Sequence, residues 1–167
     1  MLSKSEIILG IDPGFGRVGF GVIEKIKNGE WKALDYGCIE TSPKKTFSDR
    51  LLDIYEAIGF LIKKYKPVVV GVEKLYFARN VTTAIEVAQA RGVILLCAVQ
   101  AGLQVDEFTP QQVKQSITGY GKAEKQQMQK MVAMILKIKG KIKSDDAADA
   151  LAVALCTGQS LWVKKAK

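Results

Sequence analysis

Two short apolar runs, each closed by an acid, constrain this chain more than any other feature. Glu6 to Asp12 reads EIILGID and Val68 to Glu73 reads VVVGVE. Neither alternates polar with apolar, so each predicts a buried strand, the second of the kind found in the parallel part of an α/β sheet. In such sheets ligands gather at the carboxyl ends of neighbouring strands. Asp12 and Glu73 stand at those ends.

The rest of the chain supplies a sheet and its covering helices. Pro13, Gly14 and Gly16 punctuate a turn after Asp12. Arg17 to Lys27 and Glu30 to Thr41 predict two further strands around Asn28-Gly29, a favoured hairpin dipeptide. Ser48 to Tyr65 changes to helical spacing, with Leu51, Leu52, Tyr55, Ile58, Leu61 and Ile62 on one face and Pro67 as a stop. Thr82 to Ala101 predicts a long helix apolar on several sides, and Gln104 to Phe108 a fifth strand. Thr109-Pro110-Gln111-Gln112 resembles a capping box with proline at the first helical position. Helices are then expected from there to Gly119, from Lys122 to Leu136 and, capped by Ser144, from Asp145 to about Gln159. The order β-β-β-α-β-α-β-α-α-α predicts a mixed sheet with helices on both faces. Residues 1–160 are expected to form one domain, with 161–167 a flexible basic tail.

Composition narrows the chemistry. The 167 residues include no histidine, which removes Ser-His-Asp and Cys-His nucleophile systems and His-ligated zinc. Cys38, Cys97 and Cys156 are far apart in apolar stretches and predict small core residues in a reducing cytoplasm. The segment from Met1 to Gly10 is too polar and short for a signal peptide. The longest clean apolar run, Val93 to Val99, falls below the ~18 residues of a spanning helix. A soluble cytoplasmic protein with no membrane partner is expected. The formal net charge is +8, which favours a polyanionic partner. Lys114 to Lys143 contains eight lysines and a single acid, Glu124. A solvated helix face would look the same in isolation. Beside an acidic site it reads as a phosphate-backbone track.

A third acidic feature opens the last helix, Ser144-Asp145-Asp146-Ala147-Ala148-Asp149. Asp146 and Asp149 are i, i+3 and share a face. Dipole stabilisation suffices to explain Asp145, and even Asp146. Asp149 lies more than a turn in and is flanked by alanines, in a helix slim enough to approach a sheet closely. Glu73 follows five apolar residues, and its burial is costly unless it is paired or metal-bound. Four acids converging without histidine predict an oxygen-ligand site for Mg²⁺ or Mn²⁺. Two such ions suit in-line phosphoryl transfer.

Five segments in series then resemble the RuvC family of Holliday-junction resolvases. They are ILGID12PG, GVE73KLYF, QAR91G, QQVK114Q with GYGKAEK125, and D146AAD149ALA, spanning about Ile7 to Cys156. The resemblance implies a ribonuclease-H-like fold, with a five-stranded mixed sheet whose first three strands are antiparallel. It implies a homodimer that makes paired nicks in a four-way DNA junction, acting with a branch-migration helicase complex of the RuvA-RuvB type. By the same resemblance the metal-binding, catalytic acids are Asp12, Glu73, Asp146 and Asp149. Lys114 and Lys125 match the family's DNA-binding lysines, and Tyr76 its junction-probing aromatic. Arg79 and Lys122 are further DNA-contact candidates. Thr82 to Ala101 matches the dimer helix. Asp145 stays an alternative to Asp146 by one position, and the loop Lys137 to Lys143 is either a DNA contact or simply solvated.

Three other functions share parts of this pattern. An ATPase of the actin-hexokinase type needs two lobes, and this chain has one IDPG turn. A non-catalytic junction-binding protein has no need of four intact acids. A related nuclease of RNA processing is distinguished from a DNA enzyme only by the family resemblance.

Overall fold

The computed structural model describes residues 6–26, 29–75 and 81–165. Strands β1 (Ile7–Asp12), β2 (Arg17–Lys25) and β3 (Trp31–Glu40) are followed by helix α1 (Phe47–Tyr65), β4 (Val69–Glu73), α2 (Val81–Gln100) and β5 (Gln104–Phe108). Helices α3 (Pro110–Thr118), α4 (Lys125–Ile135) and α5 (Asp145–Lys165) complete the chain. The strands form one sheet in the order β3-β2-β1-β4-β5. The first three pair antiparallel, as expected, and β4 joins β1 and β5 in parallel.

Local chemistry sets several boundaries. The Thr46 hydroxyl accepts from the Asp49 amide at 3.2 Å and opens α1, which closes on a left-handed Lys66 before Pro67. Thr109 and Gln112 form the expected reciprocal capping box at α3. Two boundaries differ from expectation. Helix α4 begins at Lys125 rather than Lys122, because Tyr120 to Ala123 is spent on a turn after the left-handed Gly119. Helix α5 does not stop near Gln159. It carries Leu161 and Trp162 and runs to Lys165, so most of the segment expected to be a loose tail is helical. The hairpin residue Asn28 lies outside the described residues.

Strand alternation sends the core to both sides of the sheet. Leu9, Ile11, Val70 and Val72 pack with Ile54, Ile58 and Ile94 of α1 and α2. On the other side Ile8, Val69 and Ile23 meet Leu151, Val153 and Leu155 of α5, backed by α3 and α4. This second side also carries Gly10, Gly71, Gly19 and Gly21. Gly10 is the register partner of both Gly21 and Gly71, so three neighbouring strands lack side chains in one row. Helix α5 occupies that row, with its backbone over Gly10, Leu151 over Gly21 and the Thr157 side chain over Gly71. A Cβ on Gly10 would stand 2.3 Å from the Ala150 carbonyl oxygen, one on Gly19 2.1 Å from that of Asp146, and one on Gly71 1.9 Å from Thr157 Oγ1. Residues Ala147 to Leu155, Asp149 excepted, are buried against this shelf. The small residues on helix and sheet are one packing solution, and it fixes how far the start of α5 stands from the ends of β1 and β4.

Helix α2 is the exception to full coverage. Ile85, Leu96 and Val99 are 56%, 54% and 63% exposed, and Ala88 and Gly92 between them are also exposed. The expectation that no segment is long and apolar enough to span a membrane is corrected here. Thr83–Gln100 reaches a mean hydropathy of 1.3 over 18 residues and is 22% buried. A search for an uninterrupted apolar run misses it, because Glu86 and Arg91 interrupt an otherwise apolar helix.

Candidate active site

The shelf brings four acids into one electrostatic cluster. Asp12 ends β1 and Glu73 ends β4, on adjacent parallel strands with Ile11 beside Val72. Both lie two residues beyond a shelf glycine and so share the face covered by α5. Ser144 opens α5: its hydroxyl accepts from the Ala147 amide at 3.4 Å and its carbonyl from the Ala148 amide at 3.1 Å. The first two turns of α5 then carry Asp146 and Asp149 toward the strand ends.

Proximity shows in the ionisation of these groups. Burial, and then the charges of Glu73, Asp149 and Asp146, push Asp12 up to about 8 against the opposing pull of Lys125. Burial and Asp149 push Glu73 up to about 7, opposed by Lys114 and Lys125. Asp149 is raised as well, chiefly by burial, although Lys125 Nζ lies 3.2 Å from its Oδ2. Its Oδ1 is buried without a hydrogen-bond partner. Among the described residues no three acidic or cysteine side chains close on one point as a finished chelate. The donor set nevertheless suits a hard divalent cation: all oxygen, excess negative charge, and one buried oxygen still unpaired.

Cations border the acids. Lys114 of α3 and Lys125 of α4 line a cavity of about 170 Å³ together with Glu73, Asp149, Val113 and Met128. Asp145 points elsewhere. It accepts from Gln129 Nε2 at 2.8 Å and lies 3.4 Å from Lys125 Nζ. Asp146 and not Asp145 raises Asp12, whereas both raise Asp149, Asp145 the more. Lys122 is exposed in the turn before α4, outside this cavity. Farther along, Lys130 and Lys141 line a groove of about 590 Å³ floored by Ala133, Met134 and Ile142. Lys137 is paired with Glu30 at 2.7 Å. Tyr76 and Arg79 lie outside the described residues.

Three neighbours of the acids have no role at the site in the sequence reading. Arg17 Nε lies 3.0 Å from Asp146 Oδ2. Cys38, expected to be a plain core residue, is half-buried with its Sγ 3.8 Å from the same oxygen. Arg91 of α2 donates from Nε to the Glu73 carbonyl at 3.2 Å and also pairs with Glu107, which pins the end of β4. Arg91 stands in one of the segments that carry the family resemblance. Arg17 could be found only through the β1–β2 register.

Comparison with known proteins agrees with this architecture. The family model for crossover junction endodeoxyribonuclease RuvC matches residues 8–157. A crossover junction endodeoxyribonuclease RuvC from Petrotoga mobilis is 52% identical over 152 residues, covering 91% of this chain and 93% of that protein. The solved structure of Thermus thermophilus RuvC superposes with a TM-score of 0.85 at 31% identity, covering 96% of each chain. The same protein in complex with a Holliday junction substrate gives 0.84 at 29% identity, over 93% of this chain and 96% of that one. The sheet and its flanking helices are the ribonuclease-H-like fold, and the chain belongs to the RuvC family of crossover junction endodeoxyribonucleases.

Proposed function

We propose that this protein resolves four-way DNA junctions as a metal-dependent endodeoxyribonuclease, with Asp12, Glu73, Asp146 and Asp149 as the metal-holding acids. The observation that carries this reading is the cluster itself: four mutually repelling carboxylates, two of them raised to about 8 and about 7, beside a cavity lined by Lys114 and Lys125. Burying acids is costly, and among the described residues Asp12 and Glu73 make no ion pair, which suits that end of the site to a cation. Mg²⁺ or Mn²⁺, two per site, would supply an activated water and charge stabilisation at the leaving oxygen.

The chain's own groups perform the remaining tasks. Lys114 and Lys125 receive the phosphate backbone, and Lys122, Lys130 and Lys141 extend the positive surface away from the acids. Arg91 holds the Glu73 backbone so that the carboxylate keeps its bearing. Tyr76 stacks on a base exposed at the junction centre, and Arg79 contacts the backbone beside it. Base stacking of this kind is worth ~1–3 kcal/mol, enough to favour a junction over a fully stacked duplex. The exposed stripe of Ile85, Ala88, Gly92, Leu96 and Val99 on α2 is the homodimer face. Twofold symmetry then presents two sites to two opposed strands. A cytoplasmic location and a branch-migration helicase complex of the RuvA-RuvB type as partner complete this reading.

The test is cleavage of a synthetic four-way junction with Mg²⁺, against linear duplex and RNA–DNA hybrid. Paired nicks in the junction alone are expected. Asp12→Asn, Glu73→Gln, Asp146→Asn and Asp149→Asn should each abolish cleavage and retain junction binding, whereas Asp145→Asn should cleave. Substantial Mg²⁺-dependent cleavage by one of the four removes that residue from the site. Cleavage of the RNA hybrid in preference to the junction would establish an RNA-processing nuclease instead.

A further inference from the structure

We infer that Arg17 is a built-in counter-cation of the acidic site, a positioning residue that holds Asp146 until a divalent ion displaces it and then faces the phosphate backbone of the substrate. The inference rests on the metal-site reading above and concerns a residue that this reading does not use.

The sheet leaves Arg17 little choice of place. It opens β2 and lies two and four residues before Gly19 and Gly21, so its side chain leaves the strand on the α5 side. Gly19 is the register partner of Asp12, and its missing side chain admits the backbone of Asp146. The guanidinium therefore emerges beside the Asp146 carboxylate, with Nε 3.0 Å from Oδ2. Glu40, directly across the β2–β3 ladder, lies 3.7 Å from Nη1. The Arg17 side chain is 54% exposed. It is held by the Cys38 thiol and its two carboxylates rather than by packing, and it can turn outward without disturbing the core.

The pairing is uneven across the site. Of the four site acids, the two on α5 each have a tethered cation, Arg17 for Asp146 and Lys125, which it shares with Asp145, for Asp149. Among the described residues no ion pair is made by Asp12 or Glu73. Lys125 also lines the phosphate-sized cavity, which accounts for it. Arg17 is outside that cavity, at the opposite flank of α5. A guanidinium cannot lose its proton in the working pH range, so it leaves a carboxylate only by moving. A divalent ion that takes Asp146 Oδ2 both removes the acceptor and repels the guanidinium. Arg17 would then pivot about its remaining contact with Glu40, at the rim where a strand crosses to reach the acids. Its planar fork suits a phosphate there.

The experiment is Mn²⁺ binding to the full chain without DNA, followed by the electron-spin signal of the free ion. Arg17→Ala is expected to bind Mn²⁺ roughly two- to fivefold more tightly, the size set by a half-exposed ion pair, and to show a raised KM for junction DNA. Arg17→Lys, which keeps the charge and protects against a folding artefact, should lie between parent and Arg17→Ala in both measurements. In the Asp146→Asn background the gain from Arg17→Ala should vanish, because the contact it relieves is gone. An unchanged or weaker Mn²⁺ affinity for Arg17→Ala overturns the inference, as does an equal gain in the Asp146→Asn background. If the parent binds Mn²⁺ and Asp146→Asn weakens it, those results leave the metal-site reading standing. A parent that binds no Mn²⁺ overturns both.

Discussion

Without divalent ions, this protein should lose stability as the pH rises from 5 to 8. Asp12 is raised from 3.8 to about 8 and Glu73 from 4.5 to about 7, in both cases chiefly by burial. A carboxyl raised on folding contributes stability that is fully present below its unfolded value and lost as pH climbs through its folded value. Between those limits the native state binds more protons than the unfolded chain, so the slope of stability against pH is negative. Each carboxyl raises the other, and the two titrate as one coupled system. One extra proton held by that system corresponds to about 1.4 kcal/mol per pH unit, or about 3 kcal/mol between pH 5 and 7. A domain's whole stability is about 5–15 kcal/mol, so the loss is large enough to measure. Urea unfolding at fixed protein concentration with a chelator, from pH 5 to 8, reads it directly. Saturating Mg²⁺ should flatten or invert the slope, because a cation at the acids favours their ionised forms. Asp12→Asn should remove most of the slope and most of the Mg²⁺ effect. A chelated parent whose stability is level or rising over this range would refute the reasoning, since the acids would then be ionised at no cost.

Two further outcomes test the fold and the assembly. Gly10→Ala should cost at least the ~1–3 kcal/mol of core overpacking, because its Cβ meets backbone atoms of α5 at 2.3 and 2.4 Å, while Gly16→Ala, which meets only the Arg50 side chain at 3.6 Å, should be nearly neutral; equal denaturation midpoints would dismiss the close approach. Ala88→Glu should convert a sedimenting dimer to monomers that no longer make paired nicks, and a parent protein that is monomeric at micromolar concentration would contradict the α2 interface.

The acids were legible in the sequence because each is marked by its local surroundings. Asp12 and Glu73 close apolar runs, and Asp149 interrupts an alanine face. Helix starts with reciprocal chemistry, such as Thr109 with Gln112, were equally plain. What stayed hidden depends on pairing between strands. Gly10 and Gly71 stand two residues before Asp12 and Glu73, and glycine adds nothing to a hydropathy pattern. Only the register makes them neighbours and reveals a shelf. Arg17 is hidden for the same reason, since nothing local distinguishes it from any charged residue at the start of a strand. The end of α5 was misread because Lys164, Lys165 and Lys167 suggest a solvated tail, while Leu161 and Trp162 continue the helix before them. Lys122 was misplaced because a lysine-rich stretch with good helix formers gives no sign that a turn intervenes before Lys125. These cases share a cause. Residue type and periodicity report what a segment buries, whereas the spacing of the four acids is set by how closely a helix backbone can approach three strands. That distance is decided by the absence of side chains on Gly10, Gly19 and Gly71. A Cβ at Gly10 or Gly19 meets α5 backbone and must lift or tilt the helix, and with it Asp146 and Asp149, away from Asp12 and Glu73, whereas one at Gly71 meets the Thr157 side chain. The glycines thus shape the acidic site without touching it, because the geometry of that site is the packing geometry of α5.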